Sequence, residues 1–170
     1  DCSHTGRRSS LDIIAASRAP VIFSHANPAA LVDHGRNITD EQIKACAATG
    51  GVVCINGIPA FLDSDEPDAA DMARHAAYVA DLVGAQHVGI GIDIGFSETG
   101  IDDTPPGGFD PAHWWPASAG YGSGLKRIRY APVEAWGRLP DALRQTGMTD
   151  DEAALVLGGN MRRVAAQVWG

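Results

Sequence analysis

Short, nearly continuous apolar runs alternate along this chain with stretches of helical periodicity. Val21-Ile22-Phe23 is the first run and ends abruptly in Ser24-His25. Gly51-Val52-Val53-Cys54-Ile55-Asn56 is the second, and His87-Val88-Gly89-Ile90-Gly91-Ile92-Asp93 the third. Continuous rather than alternating hydrophobicity marks strands buried on both faces, as in a parallel sheet covered by helices. Ser10 is placed to cap a helix running to about Arg18, which must stop before Pro20. Thr39-Asp40-Glu41-Gln42 is a capping box that starts a helix ending at Gly50. Asp68 to Val83 reads as a helix with Met72, Ala76, Val79 and Val83 on one stripe and Gly84 as its stop. Strands and helices in strict alternation predict an α/β fold.

The pattern breaks between Ile94 and about Pro132, where Pro105-Pro106-Gly107-Gly108, Trp114-Trp115-Pro116 and Gly120-Tyr121-Gly122-Ser123-Gly124 occur. A loop of that length in a compact domain is usually functional, and its aromatics predict that it folds over something. Three helical pieces close the chain: about Leu139–Thr146, Asp150–Leu157 behind a second capping box at Thr149, and Met161–Trp169. No internal repeat, low-complexity tract or domain linker interrupts the sequence.

Composition narrows the function classes. The net charge is −8, from 13 basic and 21 acidic residues among 170. Such a chain repels phosphate backbones, which argues against nucleic acid and anionic membranes as partners. No apolar run approaches the length of a spanning helix, and no lipid anchor is expected. The cysteines Cys2, Cys46 and Cys54 are odd in number and form no CxxC pair, so a disulfide scaffold or four-cysteine zinc site is not expected. Cys54 reads as a small buried hydrophobe, and a reduced, cytoplasmic setting fits.

Polar residues cluster where the apolar runs end. Ser3-His4 follows what reads as the stump of a strand, His25 and Asn56 end the next two runs, and Asp93 ends the last. In parallel α/β folds these carboxyl ends face the active site, so two histidines and an aspartate converge at one mouth. His4 and His25 read either as a metal-binding pair or as ordinary polar strand-end residues. Asp93, between Gly91 and Gly95, reads as a proton acceptor and donor or as a turn cap. Arg36 reads as a bidentate partner for a substrate carboxylate or as one half of a surface ion pair. His34, Asn37, His87 and His113 have weaker cases, and His75, inside a helix, reads as a surface residue. GxSxG, Walker A and HExxH are absent.

Several of these segments together resemble the membrane (renal) dipeptidase family of zinc peptidases. They are Asp1-Cys2-Ser3-His4, Ser17 to His25, Asp33-His34-Gly35-Arg36-Asn37, Ala48 to Val53, His87 to Asp93 and Leu157 to Val164, in the family's order and near its spacing. The resemblance implies a (β/α)8 barrel of the amidohydrolase type. His4 and His25 stand at the family's two "SH" histidines, which bind one of two bridged zinc ions. Arg36 stands at the family's Arg in H-P-R-N, which holds the substrate's C-terminal carboxylate, and Asp93 at the aspartate that handles the proton. Asn56 is the second expected substrate-binding residue. The implied activity is hydrolysis of dipeptides, including those with a C-terminal D-residue, through a metal-bridged hydroxide. A dipeptide substrate and a homodimer are the implied partners.

The chain departs from the family at Gly35, where Pro is usual, and at Ile94-Gly95-Phe96, where the family reads Phe-Asp-Gly. The family's first-strand His-x-Asp, its bridging Glu and a further His have no counterpart here. A (β/α)8 barrel needs roughly 250 residues. Residues 1–170 are therefore expected to form one partial domain, the C-terminal half of the barrel, with 94–132 as a variable substrate loop and the N-terminal half as its partner. Two alternatives stand beside this: another amidohydrolase-type metal hydrolase, and a non-catalytic fragment lacking the first-half ligands.

Overall fold

The structure, a computed structural model, describes residues 1–94, 110, 113, 116–119 and 130–170. The variable loop, with Trp114-Trp115 and Gly120–Gly124, therefore lies largely outside the described residues. The three apolar runs supply the strands β1 (Ile22–Phe23), β2 (Val52–Ile55) and β3 (Val88–Ile90). They are parallel in the order β1-β2-β3, with Ile22 opposite Val52, Val53 opposite Val88 and Ile55 opposite Ile90. On the outer side of β1, the Cys2 amide donates to the Ile22 carbonyl at 2.8 Å, which carries the Asp1–His4 segment alongside the sheet.

Both faces of the sheet are covered, which is why its strands carry no polar alternation. Phe23, Val53, Ile55 and Val88 join the main core with Ile43 and Cys46 of α2 (Asp40–Ala48) and Met72, Ala76 and Val79 of α4 (Ala69–Val83). Val52 and Cys54 point the other way, toward Val164. Val164 lies on α7 (Asn160–Trp169), the last helix of the chain. The Asn160 amide fixes α7 by donating to the carbonyls of Ala85 and Val88, both at 2.8 Å. All three cysteines are buried and unbridged, as a small apolar role requires.

The local start signals act where they were read. Thr39 caps α2 and Thr149 caps α6 (Asp150–Ala154), each through a complete capping box. Asp68 caps α4 in the same way, and Gly84 with φ 95° ends it. Other boundaries differ. Helix α1 spans Arg7–Ala16, so Ser10 lies inside it rather than at its cap. Its hydroxyl donates to the Arg7 carbonyl and accepts from Gln42 of α2, a tertiary contact that takes the side chain away from capping. Helix α3 (Pro59–Leu62) has too few residues for a periodic signal. Helix α5 (Ala135–Gln145) starts before Leu139 and carries Pro140 inside. Beyond Ala154 the chain makes a wide turn, Leu155–Gly159, in which Gly158 adopts φ 149°, before α7 begins.

His75 reverses its sequence reading. It is 0% exposed in α4, the helix that packs against both α2 and α5. Burial, with a smaller contribution from Arg74, lowers its pKa to about 4. The unfolded chain takes up a proton near pH 6.5 and the folded chain does not, so stability falls as pH drops from 6.5 toward 4. The full loss is about 3 kcal/mol. Denaturant unfolding of His75→Leu at pH 7 and pH 4.5 should show a smaller pH-dependent loss than the unsubstituted protein. Equal losses in the two proteins would remove His75 as the cause.

Candidate active site at the carboxyl ends of the strands

Three loops meet above the sheet, at the carboxyl ends of its strands. The first carries His4. Its amide neighbour Thr5 closes a turn onto the Cys2 carbonyl through both its backbone N–H, at 3.2 Å, and its hydroxyl, at 2.7 Å. That turn holds His4 at φ 64°, in the left-handed region. The second loop carries His25 directly behind β1. The third carries Asp93 beyond β3, also left-handed at φ 57°. Side-chain-bearing residues avoid this conformation by roughly 1–2 kcal/mol, and such strain concentrates at functional sites. A close backbone approach joins the second and third loops: a Cβ at Gly91 would lie 1.7 Å from the Ser24 carbonyl oxygen.

The imidazoles of His4 and His25 meet edge to face, with centroids 4.7 Å apart. Burial lowers the pKa of both; Arg36 adds to the effect at each, and His25 adds to it at His4. Asp93 opposes the shift at both rings, so its carboxylate is near enough to act on the pair. Both rings are thus held neutral, the protonation state that leaves a nitrogen lone pair for a ligand. The Nε2 atom of His25 is buried with no hydrogen-bond partner. The Nε2 atom of His4 receives the Arg36 guanidinium at 3.1 Å, so a cation already rests on that lone pair.

Arg36 is steered by its own loop. Its guanidinium lies over the Phe61 ring, 5.6 Å from the centroid. His34 packs on the same ring at 4.7 Å and accepts the Arg36 amide on Nδ1. Asn37 anchors the loop by donating to the carbonyls of Val32 and Phe61. A cavity of about 220 Å³ opens between this loop and the His4 turn, lined by His4, Thr5, Arg36, Asn37 and Gln42 among others. It is large enough for a few small-molecule atoms beside the cationic and imidazole groups.

His4, His25, Arg36 and Asp93 are therefore brought together, with His4 and Arg36 on the wall of the cavity, whereas Asn56 is held inside the fold. Asn56 is 1% exposed, and its side-chain oxygen is engaged within the fold. Its side-chain oxygen accepts from Asn27 at 3.1 Å and from the Ile58 amide, and its backbone N–H donates to Asn27. It braces the turn from β2 into α3, which carries Phe61. His87 also serves the fold, bonding the Gly51 carbonyl through Nδ1 at 2.9 Å. His113 is exposed, and the Trp114-Trp115 pair beside it lies outside the described residues.

Two residues at this mouth escaped the sequence reading. Phe61 sits in a helix too short to announce itself. Tyr130 directly precedes Ala131, whose amide ties the backbone to the Gly57 carbonyl at 2.9 Å. Burial raises the Tyr130 pKa and the Asp93 charge raises it further, which places the phenol in reach of that carboxylate's field.

The donor set fits one side of a metal site. Two neutral imidazoles, one with an unpartnered buried nitrogen and the other contacted by a cation, can ligate a single ion. Among the described residues no group of three or more His, Cys, Asp or Glu gathers to complete it.

Comparison with known proteins places these features. A family model described as "Membrane dipeptidase (Peptidase family M19)" matches residues 1–109. Dipeptidase verJ of Clonostachys rogersoniana is 38% identical over 106 residues, covering 61% of this chain and 27% of that protein. The crystal structure of an amidohydrolase from Pseudomonas aeruginosa superposes with a TM-score of 0.76 at 30% identity, covering 99% of this chain and 51% of that one. A metallopeptidase from Rhodobacter sphaeroides, crystallised with a phosphinate mimic of the dipeptide L-Ala-D-Ala, shares the fold. Its TM-score is 0.70 at 22% identity, covering 99% of this chain and 42% of that one. The chain thus spans between about a quarter and a half of the length of these proteins.

Proposed function

The chain belongs to the membrane dipeptidase family, and from that premise we propose that it forms part of the active site of a zinc-dependent dipeptidase. The observation that carries the reading is the edge-to-face His4–His25 pair, with the buried Nε2 of His25 unpartnered, standing beside Arg36 and Asp93. Among the described residues no group of three or more His, Cys, Asp or Glu gathers around the pair. A complete site with two ions would draw its remaining ligands from outside the described residues. No helix among the described residues is long and apolar enough to cross a membrane.

His4 and His25 would hold one ion through their Nε2 atoms. When bound, such an ion supplies Lewis acidity toward a carbonyl and makes water more acidic. The protein groups do the rest. Arg36 pairs its guanidinium with the carboxylate at the C-terminal end of the dipeptide, in the fork geometry that suits two oxygens. Phe61 supports that guanidinium from behind and keeps water from one side of it. Asp93 accepts the proton of the attacking water on a carboxylate oxygen and delivers it to the leaving amine nitrogen. The neighbouring Tyr130 phenol stays protonated at neutral pH, since burial and Asp93 both push its pKa upward.

We further assign dipeptides with a C-terminal D-residue to the substrate range, supported by the dipeptide mimic held by the Rhodobacter metallopeptidase. Hydrolysis of a panel of dipeptides by the intact protein tests the whole reading. Activity that is lost on chelation and restored by zinc is expected. Absence of hydrolysis by zinc-loaded protein across the panel would overturn it.

Arg36 has its own test. Arg36→Met should raise KM by roughly 10- to 100-fold for dipeptides with a free C-terminus, the worth of a charge-assisted hydrogen bond of about 1.5–3 kcal/mol. The same variant should treat C-terminally amidated dipeptides as the unsubstituted protein does. A similar KM rise for both substrates would show that Arg36 does not read the carboxylate.

A further inference from the structure

The hydrogen bonds behind His25 form a closed circuit in which every donor has one acceptor. His25 Nδ1 lies 2.8 Å from Ser24 Oγ. Ser24 Oγ donates to the Asp1 carboxylate at Oδ2. The other carboxylate oxygen, Oδ1, accepts the backbone amides of Ser3 at 2.9 Å and Ser24 at 3.1 Å. Ser3 Oγ lies 3.1 Å from Ser24 Oγ and accepts the His25 backbone amide at 3.1 Å.

The direction of each proton follows from elementary chemistry. An ionised carboxylate only accepts, so the single hydroxyl proton of Ser24 points to Asp1. Ser24 Oγ is then left with its lone pairs. It can satisfy His25 Nδ1 only if that nitrogen carries the proton. The Ser3 hydroxyl proton completes the second lone pair of Ser24 Oγ. One tautomer of His25 results, with N–H at Nδ1 and the lone pair at Nε2, the buried nitrogen that has no partner. The alternative tautomer would set two lone pairs, on Nδ1 and Ser24 Oγ, against each other at 2.8 Å.

We propose that Asp1 and Ser24 are positioning residues that fix His25 as its Nδ1–H tautomer and thereby aim the Nε2 lone pair at the metal position. This rests on the metal-binding reading of His25 given above. The relay acts through the imidazole and touches neither substrate nor ion. Partners of this kind orient ligating imidazoles, and their loss typically weakens metal binding by roughly 10- to 100-fold. The Ser3 hydroxyl joins the same circuit through Ser24 Oγ and the His25 amide, which ties the Asp1–His4 segment to the segment behind β1.

Two readouts on the intact protein test the proposal. Long-range ¹H–¹⁵N NMR of the metal-free protein should show His25 as the Nδ1–H tautomer. Ser24→Ala and Asp1→Asn should shift it toward a mixture with Nε2–H, and Ser24→Thr, which keeps the hydroxyl, should preserve it. Titration with zinc alone should give affinities roughly 10- to 100-fold weaker for Ser24→Ala and Asp1→Asn, with Ser24→Thr close to the unsubstituted protein. An unchanged Nδ1–H tautomer in a folded Ser24→Ala protein would overturn the relay. A zinc affinity that survives His25→Ala would overturn the metal reading instead, while the tautomer result would still decide the relay.

Discussion

Asp93→Asn in the intact, metal-loaded protein is expected to lower kcat for dipeptides by roughly 100- to 10,000-fold, the usual contribution of a positioned acid–base group. The substitution keeps the shape of the side chain and its left-handed backbone, because Asn tolerates that region as Asp does. It removes only the ability to take and return a proton. KM and bound zinc should therefore stay near their original values. Steady-state kinetics with parallel metal analysis separates the outcomes. Loss of zinc together with activity would make Asp93 a ligand, and retained kcat would remove it from proton transfer.

The second large effect concerns the ligands themselves. His25→Ala should leave the intact protein with less zinc and with activity reduced at least as far as in Asp93→Asn. Removing one of two imidazoles halves the donors this chain contributes, and a half-liganded ion in an open cavity exchanges with water. The fold should tolerate the change, since His25 lies at the mouth of the sheet rather than in the main core. Elemental analysis after dialysis, with circular dichroism to confirm the fold, is the check. Unchanged zinc content with unchanged activity would take His25 out of the site.

Much of this arrangement was legible in the sequence where the causes are local. The capping boxes at Thr39 and Thr149 are complete within four residues, so they needed no tertiary information. The doubly buried strands announced themselves because both faces are covered, by α2 and α4 on one side and α7 on the other. His4, His25 and Asp93 were singled out by their position at strand ends, and the roles proposed for them came from the family resemblance. What stayed hidden depends on partners distant in sequence. Ser10 looks like a cap until Gln42 claims its hydroxyl. Asn56 reads as a substrate-binding group, and its bonds to Asn27 across the fold become visible only in the structure. His75 looks like a surface residue until α5, from much further along the chain, packs on α4. Phe61 has no periodic context, and its role as the platform under Arg36 exists only once the loops converge.

The central claim is that His4 and His25 hold one zinc ion between their Nε2 atoms. Anomalous scattering at the zinc edge, from crystals of the intact zinc-loaded protein, measures this directly. The account predicts a peak about 2.0–2.1 Å from both nitrogens, with the Arg36 guanidinium displaced from His4. An active, zinc-loaded protein with no peak between these two imidazoles would contradict it.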